Sequence, residues 1–409
     1  MSALSAGPAA AAGVPSGVTA PLGFRAAAVA SGIKAEGLDL ALVVADAGCA
    51  AAGVFTANRA QAAPVVVSRA HLAAGQARAI VVNSGCANAA TGEGGLGDAR
   101  ETAALAAEAL GCRPAEVVVA STGVIGVSLP MAALRAGIPR AAAALGRENG
   151  ARAARAIMTT DTRPKEIVVE FPLAGRTARV GGMAKGAGMI APDMATLLAF
   201  FTTDAAVDPG LLRRALREAV GESLNRITVD GDTSTNDMAV ALASGALPAP
   251  AILGEGRDYD ALRGALGAAS RALAEMIVRD GEGATRLAEV RVEGAARAED
   301  AFRIARTVAE SALVKTALHG GDPNWGRILA ALGRAGVAVD VDRVDIHLGP
   351  VWVAEGGQAR AYEEEAAHRA MEEDPVRIRI DLHAGEASGW MWTCDLTRGY
   401  VDINAHYRS

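Results

Sequence analysis

The chain has 409 residues, of which 51% are hydrophobic and 3% aromatic, so it is long enough for two or three domains with largely aliphatic cores. Its formal net charge of −6 argues against a broad nucleic-acid-binding surface, which would need a basic patch. No uncharged apolar run reaches the roughly 18 residues that a membrane-spanning helix needs, so we expect no membrane partner.

The cysteines and lysines are few. No two cysteines are spaced as a CxxC pair, which favours reduced, buried thiols in a cytoplasmic protein. They are Cys49, Cys86, Cys112 and Cys394. Most of the 40 basic residues are arginines, so each lysine hints at a place where arginine fits poorly. The lysines are Lys34, Lys165, Lys185 and Lys315.

Strand-type and helix-type patterns alternate through the first part of the chain. After an Ala/Gly/Pro-rich tail at 1–15, which we expect to be flexible, strands are predicted at 38–45, 63–68, 79–83 and 116–121, with a hairpin at 166–182 and further strands at 197–201 and 226–230. Helices are predicted at 98–110, with Asp98 as N-cap and Gly111 just past the end, in two Ala/Arg-rich segments before the hairpin, from Asp208-Pro209 to Gly221, and at 258–278.

The pattern changes near residue 286. Strands are predicted at 286–294, 341–349, 351–356, 376–385 and 391–396, and helices at 302–318 and 361–374. We therefore expect a larger domain over 16–285 and a smaller α/β domain over 286–409.

Two glycine- or aspartate-rich motifs do not meet the requirements of the sites they resemble. The stretch GEGGLG (92–97) fits GxGxxG, but the preceding strand ends several residues too early and no acidic residue closes the next one, so a mobile turn is favoured over a dinucleotide site. The stretch 230–237 resembles a calcium loop, but Thr235 and Ala241 stand where an EF-hand requires Gly and Glu. A hydrogen-bonding turn is the better interpretation, and the scattered histidines predict no metal site.

The stretch STGVIG (121–126) places a hydroxyl and a glycine at a strand end. Such a turn can aim successive backbone N–H groups and a hydroxyl at one point, as an oxyanion hole requires, although most such turns have no catalytic role.

The stretch KGAGMIAPDMATLLAFF (185–201) raises a similar question about Thr196. Without further evidence, a threonine beside an apolar segment is interpreted as an ordinary strand residue. Here Gly186, Gly188 and Pro192 permit an unusual backbone just upstream. A threonine hydroxyl needs a base, and cutting the chain after Ala195 would free the Thr196 α-amine, with a pKa near 8, to act as that base.

Several motifs together carry a family resemblance. The segment KGAGMIAPDMATLLAFFTTDA resembles the self-cleavage region of the ornithine acetyltransferase (glutamate N-acetyltransferase) family. That family's other blocks are matched in order by NSGCANAATG, STGVIG, TVDGDTSTND, KTALHGGDPNWGRI and DINAHYRS. The resemblance covers essentially the whole chain after about residue 15.

The resemblance implies a fold and an activity. The fold would be a layered α/β sandwich with sheets packed between helices, N-terminal-nucleophile-like and autoprocessed, in which the larger domain is catalytic and the tail of the smaller C-terminal domain reaches the active site. The activity would be acetyl transfer from N2-acetyl-L-ornithine to L-glutamate through an acetyl-threonine, in cyclic arginine biosynthesis, without cofactor or metal. Whether acetyl-CoA is a second donor stays open. Cleavage between Ala195 and Thr196 would give α and β chains that assemble as a heterotetramer of two of each.

The resemblance also implies residue roles. Thr196 would be the nucleophile, and Thr122 with Gly123 would stabilise the oxyanion. Substrate contacts would come from Thr159, Lys185, Thr196, Glu282, Asn404 and Ser409. Lys185 offers a cation for a carboxylate, and Glu282 an anion for an ammonium. The alternatives are an amidohydrolase or aminopeptidase with the same nucleophile, or a non-catalytic α/β binding protein in which Thr196 is only a strand residue.

Overall fold

The computed structural model describes residues 14–191 and 197–406, so the predicted positions Ala195, Thr196 and Ser409 lie outside the described residues. The described chain divides into two compact units, one made of 14–186, 197–225 and 233–277 and the other of 187–191, 226–232 and 278–406. The longest segment of the second unit begins at Val278, eight residues before the expected start of the smaller domain at residue 286. The assignment of a catalytic role to the larger domain stays a prediction.

Most predicted elements are confirmed. The strands are β1 (Phe24–Val29), β2 (Leu40–Phe55), β3 (Gln76–Cys86), β4 (Val117–Val124), β5 (Lys165–Leu173), β6 (Arg176–Lys185), β7 (Leu198–Thr203), β8 (Ile227–Thr228), β9 (Met238–Ala243), β10 (Leu287–Ala295), β11 (Asp345–Leu348), β12 (Val351–Glu355), β13 (Gln358–Ala359), β14 (Val376–Asp381) and β15 (Ala387–Cys394). The helices are α1 (Ala63–His71), α2 (Gly92–Leu110), α3 (Met131–Ala143), α4 (Gly150–Ala156), α5 (Pro209–Gly221), α6 (Arg257–Arg279), α7 (Ala298–Ala309), α8 (Ala312–Gly320), α9 (Trp325–Gly333), α10 (Glu364–Ala370) and α11 (Arg398–Ala405).

The sheet of the first unit bends back on itself along its longest strand. Its order is β4-β3-β2-β9-β7-β6-β5, with β1 added on β2. The register of β2 against β3 shifts between Val44 and Cys49, and residues 46–48 there are exposed. Beyond this bend β2 pairs with β9. Apolar residues of the β2-β3-β4 half and of the β9-β7-β6 half share one buried cluster, so the two halves face each other across it.

Helices cover the outer face of the first half-sheet. Because side chains alternate along a strand, Ala41 and Val43 of β2 join the inner cluster, while Leu40 and Leu42 point the other way. The outward set packs against apolar residues of α2 and α3. Strands buried on both faces explain the nearly continuous apolar runs in the sequence. The predicted layered α/β class is therefore confirmed.

The second unit has its own mixed sheet and core. Its strand order is β13-β12-β11-β14-β10-β15-β8, in which β10 and β14 are parallel. Apolar residues of α7, α8, α9 and α10 pack with this sheet in one buried cluster. Among the described residues of both units, none of the helices is long and apolar enough to cross a membrane.

The strand predicted at 63–68 is wrong, because these residues form the start of α1. Pro64 occupies the first turn, where its missing N–H costs nothing. The helix covers the open edge of β4: Ser68 Oγ donates to Val119 O at 2.6 Å and accepts from Val119 N at 2.8 Å. An uncovered edge would leave these groups unpaired, so tertiary context overrides the strand propensity of the valines.

The mobile turn predicted at 92–97 and the N-cap at Asp98 are also wrong, since α2 already begins at Gly92. The Asn88 side chain donates to Gly95 O at 2.9 Å, which orders this first turn. A Cβ at Gly95 would lie 1.8 Å from Thr91 Oγ1, so only glycine fits there. Gly111 ends the helix at a φ of 64°, as predicted.

The single helix predicted at 302–318 is two helices. It divides between Ala309 and Ala312, and the Ser311 side chain caps α8 by accepting from Val314 N. A serine at that position is an N-cap signal that helical periodicity alone obscures.

Candidate active site

The end of β4 lies directly against β3. Gly123 has a φ of +131°, and a Cβ there would lie 2.3 Å from the Gly85 carbonyl carbon. No side chain can be added without moving the β3 backbone, so the close approach requires glycine. The neighbouring Thr122 is buried, with 8% of its surface exposed.

Lys185 reaches Thr122 from the opposite half-sheet. Its Nζ donates to Thr122 Oγ1 at 3.2 Å. Lys185 ends β6 and pairs with Leu198, the first residue of β7. The bend in β2 makes this contact possible, because it brings the ends of β4 and β6 together although they are distant in strand order.

Asp161 connects the loop containing Thr159 to the end of β6. Its carboxylate accepts from Lys165 Nζ at 2.7 Å, from Gly186 N at 2.7 Å and from Thr159 N at 3.0 Å. Burial by itself would raise the pKa of Asp161, but the Lys185 and Lys165 ammonium groups outweigh it and lower the pKa to about 2. A permanently charged carboxylate thus orders the predicted substrate-binding loop.

Three of the chain's four lysines therefore gather around this carboxylate. Burial lowers the pKa of Lys34, and the negative charge of Asp161 partly opposes this effect. The Lys34 Nζ donates a hydrogen bond to Met158 O at 2.6 Å. Lys315 lies buried in the second unit, where it donates to Thr393 Oγ1 at 3.0 Å. Each of these lysines occupies a tight polar position, as expected if arginine fits poorly there.

Replacing Asp161 by asparagine should destabilise the protein by about 3–5 kcal/mol, because Lys165 is 1% exposed and would keep a buried, uncompensated charge. The double variant Asp161→Asn, Lys165→Met should regain much of the lost free energy of unfolding. Urea unfolding at pH 7 measures both effects. The matched control is Glu101→Gln, which breaks the exposed pair with Arg135 and should barely change stability. Equal losses for Asp161→Asn and Glu101→Gln would contradict the prediction.

In the second unit, Glu282 and Asn404 meet. Asn404 Nδ2, on α11, donates to Glu282 Oε2 at 2.7 Å, and Glu282 is 7% exposed. Glu282 N donates to Ala187 O at 2.8 Å. A Cβ at Gly188 would lie 2.3 Å from Glu282 Oε2, so this glycine leaves the space for the carboxylate.

Asp230 holds the same short loop. Its carboxylate accepts from Met189 N at 2.6 Å and from Ile190 N at 2.9 Å. Tyr400 donates its hydroxyl to Asp230 at 3.3 Å, and burial together with Asp230 raises the pKa of Tyr400. Asp230, the first residue of the predicted hydrogen-bonding turn at 230–237, therefore orders the loop 187–191, which precedes the predicted cleavage site in the sequence.

The structure thus places the predicted residues in two groups. Within the first unit it brings together Thr122, Lys185 and, through Asp161, Thr159. Within the second it joins Glu282 to Asn404. Sequence reasoning missed Asp161 and the Tyr400–Asp230 pair, because no motif marks a role for either carboxylate and each has a partner in a distant segment, at Gly186 for Asp161 and at Tyr400 for Asp230.

The first group contains both polar and charged side chains. It combines a buried threonine hydroxyl at a strand end with a lysine ammonium, and an adjacent carboxylate keeps the local charge balanced. Across residues 14–191 and 197–406, no three His, Cys, Asp or Glu side chains cluster as metal ligands would. Fold and site define a layered α/β protein in which a lysine ammonium lies beside a buried threonine hydroxyl at a strand end.

Comparison with known proteins then establishes the family. The ArgJ family model matches residues 25–409. The arginine biosynthesis bifunctional protein ArgJ of Symbiobacterium thermophilum is 54% identical over 396 residues, which cover 96% of this chain and 98% of that protein. The chain belongs to the ArgJ family, and with it to the acyltransferases of arginine biosynthesis. The resemblance predicted from the motifs is thereby confirmed.

Two solved structures also match. The Bacillus halodurans arginine biosynthesis bifunctional protein ArgJ is 46% identical, with a TM-score of 0.49, over 50% of this chain and 97% of that one. The Mycobacterium tuberculosis ornithine acetyltransferase complexed with ornithine is 46% identical, with a TM-score of 0.40, over 44% of this chain and 97% of that one.

Proposed function

We propose that this chain transfers the acetyl group of N-acetylornithine to glutamate through an acetyl ester on Thr196. Family membership supports this, and the observation that carries it is the Lys185 Nζ–Thr122 Oγ1 contact of 3.2 Å. That contact puts a cation for a substrate carboxylate next to a hydroxyl suited to an oxyanion. Thr196 itself lies outside the described residues, and its role rests on the motif.

The chain first cleaves itself. Thr196 Oγ attacks the Ala195 carbonyl carbon, an O–C bond forms, and the C–N bond between the two residues breaks. The hydroxyl proton moves to the released nitrogen, which becomes the Thr196 α-amine. Water then hydrolyses the ester and leaves Ala195 as a carboxylate. This sequence supplies the base that a threonine otherwise lacks.

Acetyl transfer uses the same groups. Thr196 Oγ attacks the acetamide carbon, its proton passes through the α-amine to the departing nitrogen, and ornithine leaves. The amine of glutamate then attacks the acetyl-threonine and restores the hydroxyl. Thr122 and Gly123 hold the oxyanion, while Thr159, Lys185, Glu282, Asn404 and Ser409 bind the amino-acid groups of the substrates. We place the enzyme in the cytoplasm, as a heterotetramer of two α and two β chains.

The word "bifunctional" in the relatives' name supports a second activity in this family. We propose that acetyl-CoA also acetylates glutamate here. Purified enzyme should form N-acetylglutamate both from N-acetylornithine and from acetyl-CoA. Activity with N-acetylornithine alone would contradict the second donor and leave the first reaction standing.

The main reaction should show ping-pong kinetics. Ornithine release from N-acetylornithine should depend on glutamate and give parallel lines in double-reciprocal plots. The alternative function is that of an amidohydrolase with the same nucleophile. It predicts release of acetate without glutamate and no stimulation when glutamate is added, and that result would overturn the transferase proposal.

A further inference from the structure

Lys34 is a basic residue to which the family resemblance assigns no role. It lies in the loop between β1 and β2, and its side chain is half-buried. Its Nζ donates to Met158 O at 2.6 Å and to Leu38 O at 3.3 Å. A half-buried ammonium loses part of its hydration, so these two carbonyl groups determine where it lies.

A buried aspartate fixes the loop that carries Lys34. Asp39 is 0% exposed, and its carboxylate accepts from the consecutive backbone amides of residues 31–34 at distances of 2.6 to 3.1 Å. Burial by itself would raise the pKa of Asp39, but these donors outweigh burial and lower it, so the carboxylate is charged. The backbone at Lys34 is therefore held in place independently of the contact with Met158.

The contact with Met158 holds one end of a peptide group whose other end is held by Asp161. Met158 O and Thr159 N belong to the same peptide bond, and Thr159 N donates to Asp161 Oδ2 at 3.0 Å. An ammonium on the carbonyl and a carboxylate on the N–H both match the dipole of the peptide, and hydrogen bonds to charged groups are the stronger ones. Lys34 and Asp161 together therefore fix the peptide that precedes Thr159, a predicted substrate-binding residue.

The stem of Lys34 lies against another part of the first unit's site. A Cβ added at Gly85 would lie 3.1 Å from Lys34 Cγ, so the side chain passes directly over this glycine. Gly85 is also the residue that Gly123 approaches at the end of β4. One side chain thus contacts both the strand beside the predicted oxyanion turn and the peptide that precedes Thr159.

We propose that Lys34 is a positioning residue for substrate binding, which sets the distance of Thr159 from the turn at Thr122 and Gly123 by holding Met158 O. The inference rests on the proposed function, since it takes Thr159 as a residue that contacts the substrates. Lys34 acts through Thr159 and exchanges no proton with substrate.

The test measures steady-state kinetics of Lys34→Met, which keeps an apolar stem over Gly85 and removes the ammonium. The KM for N-acetylornithine and the KM for glutamate should each rise at least about tenfold, because both substrates bind in turn beside Thr159 and small misplacements are costly. The value of kcat should be nearly unchanged, since the lost binding is shared by substrate and transition state. Self-cleavage should proceed at the wild-type rate, because no free substrate takes part in it.

A second measurement does not depend on the proposed function. Hydrogen–deuterium exchange of the segment 158–161 reports on the Thr159 amide, whose proton is bonded to Asp161. In Lys34→Met this amide should exchange at least about tenfold faster, because its peptide group is then held at one end only.

A rescue experiment separates positioning from a general loss of stability. Lys34→Cys alkylated with 2-bromoethylamine regains an ammonium on a stem of the same length, and both KM values should return towards those of the wild type. Alkylation with iodoacetamide adds no charge and should leave them high. The wild type is treated in parallel, because Cys112 is partly exposed.

The matched control is Arg147→Met. Arg147 is also half-buried and basic, and its guanidinium donates to a backbone carbonyl, Pro21 O, at 3.4 Å. This variant removes a comparable contact outside the Thr159 loop, so both KM values and the exchange of segment 158–161 should match the wild type.

Wild-type KM values in an active Lys34→Met enzyme, or wild-type exchange at 158–161, would overturn the inference. An equal rise of KM in Arg147→Met would overturn it as well. A wild-type enzyme that transfers no acetyl group would instead refute the proposed function, whereas faster exchange at 158–161 in Lys34→Met would still support the positioning of Thr159, so the two failures are distinguishable.

Discussion

Replacing Thr196 by alanine is expected to leave one full-length chain on a denaturing gel, where the wild type gives chains 1–195 and 196–409. Without the hydroxyl no ester can form at Ala195, so the peptide bond has no intramolecular route to cleavage. Acetyl transfer should fall to background, because both the nucleophile and the freed α-amine are lost. N-terminal sequencing of the wild-type second chain should read TLLAFF.

Two further variants serve as controls for Thr196→Ala. Thr196→Ser keeps a hydroxyl and should still cleave, whereas Thr203→Ala removes a buried hydroxyl farther along β7 and should cleave normally. Two chains from Thr196→Ala would refute the mechanism and favour the non-catalytic reading of this threonine.

Replacing Thr122 by valine is expected to lower kcat about 10²- to 10³-fold, the usual cost of removing one oxyanion donor. Valine matches threonine in size, so the buried packing at the end of β4 is kept. The KM for N-acetylornithine should change little, because the hydroxyl acts mainly on the charge that develops during reaction. Initial rates with N-acetylornithine and glutamate measure both constants.

The control is Thr202→Val. Thr202 is also buried, and its hydroxyl donates to Val18 O at 2.9 Å, away from the site. This variant should lose stability but retain kcat once folded. An unchanged kcat in Thr122→Val would remove Thr122 from the oxyanion role.

Much of the fold could be predicted from local patterns. The apolar runs of β2, β3 and β4 and the amphipathic period of α6 are read correctly, since burial of a strand or a helix face leaves a direct imprint on composition. The wrong secondary-structure predictions fall on short segments whose pattern fits more than one kind of element. A valine-rich segment behind Pro64 suits a strand locally, but the open edge of β4 makes it a helix.

The residues of the candidate site also fall into those that the sequence predicts and those that only the structure reveals. Thr122, Gly123 and Lys185 stand in recognisable motifs, so sequence reasoning finds them. Asp161 stands in none of these motifs. Its importance depends on a partner, Gly186, that lies 25 residues away along the chain.

By itself, the sequence determined the family, the layered α/β class and the chemical types that the site contains, because motifs and hydrophobic periods are local properties of the chain. Only the tertiary structure decided which of these groups meet. The bend in β2 folds one half-sheet over the other and brings Lys185 to Thr122. It also decided that Asp161 is charged despite its burial, because two lysines lie close to that carboxyl.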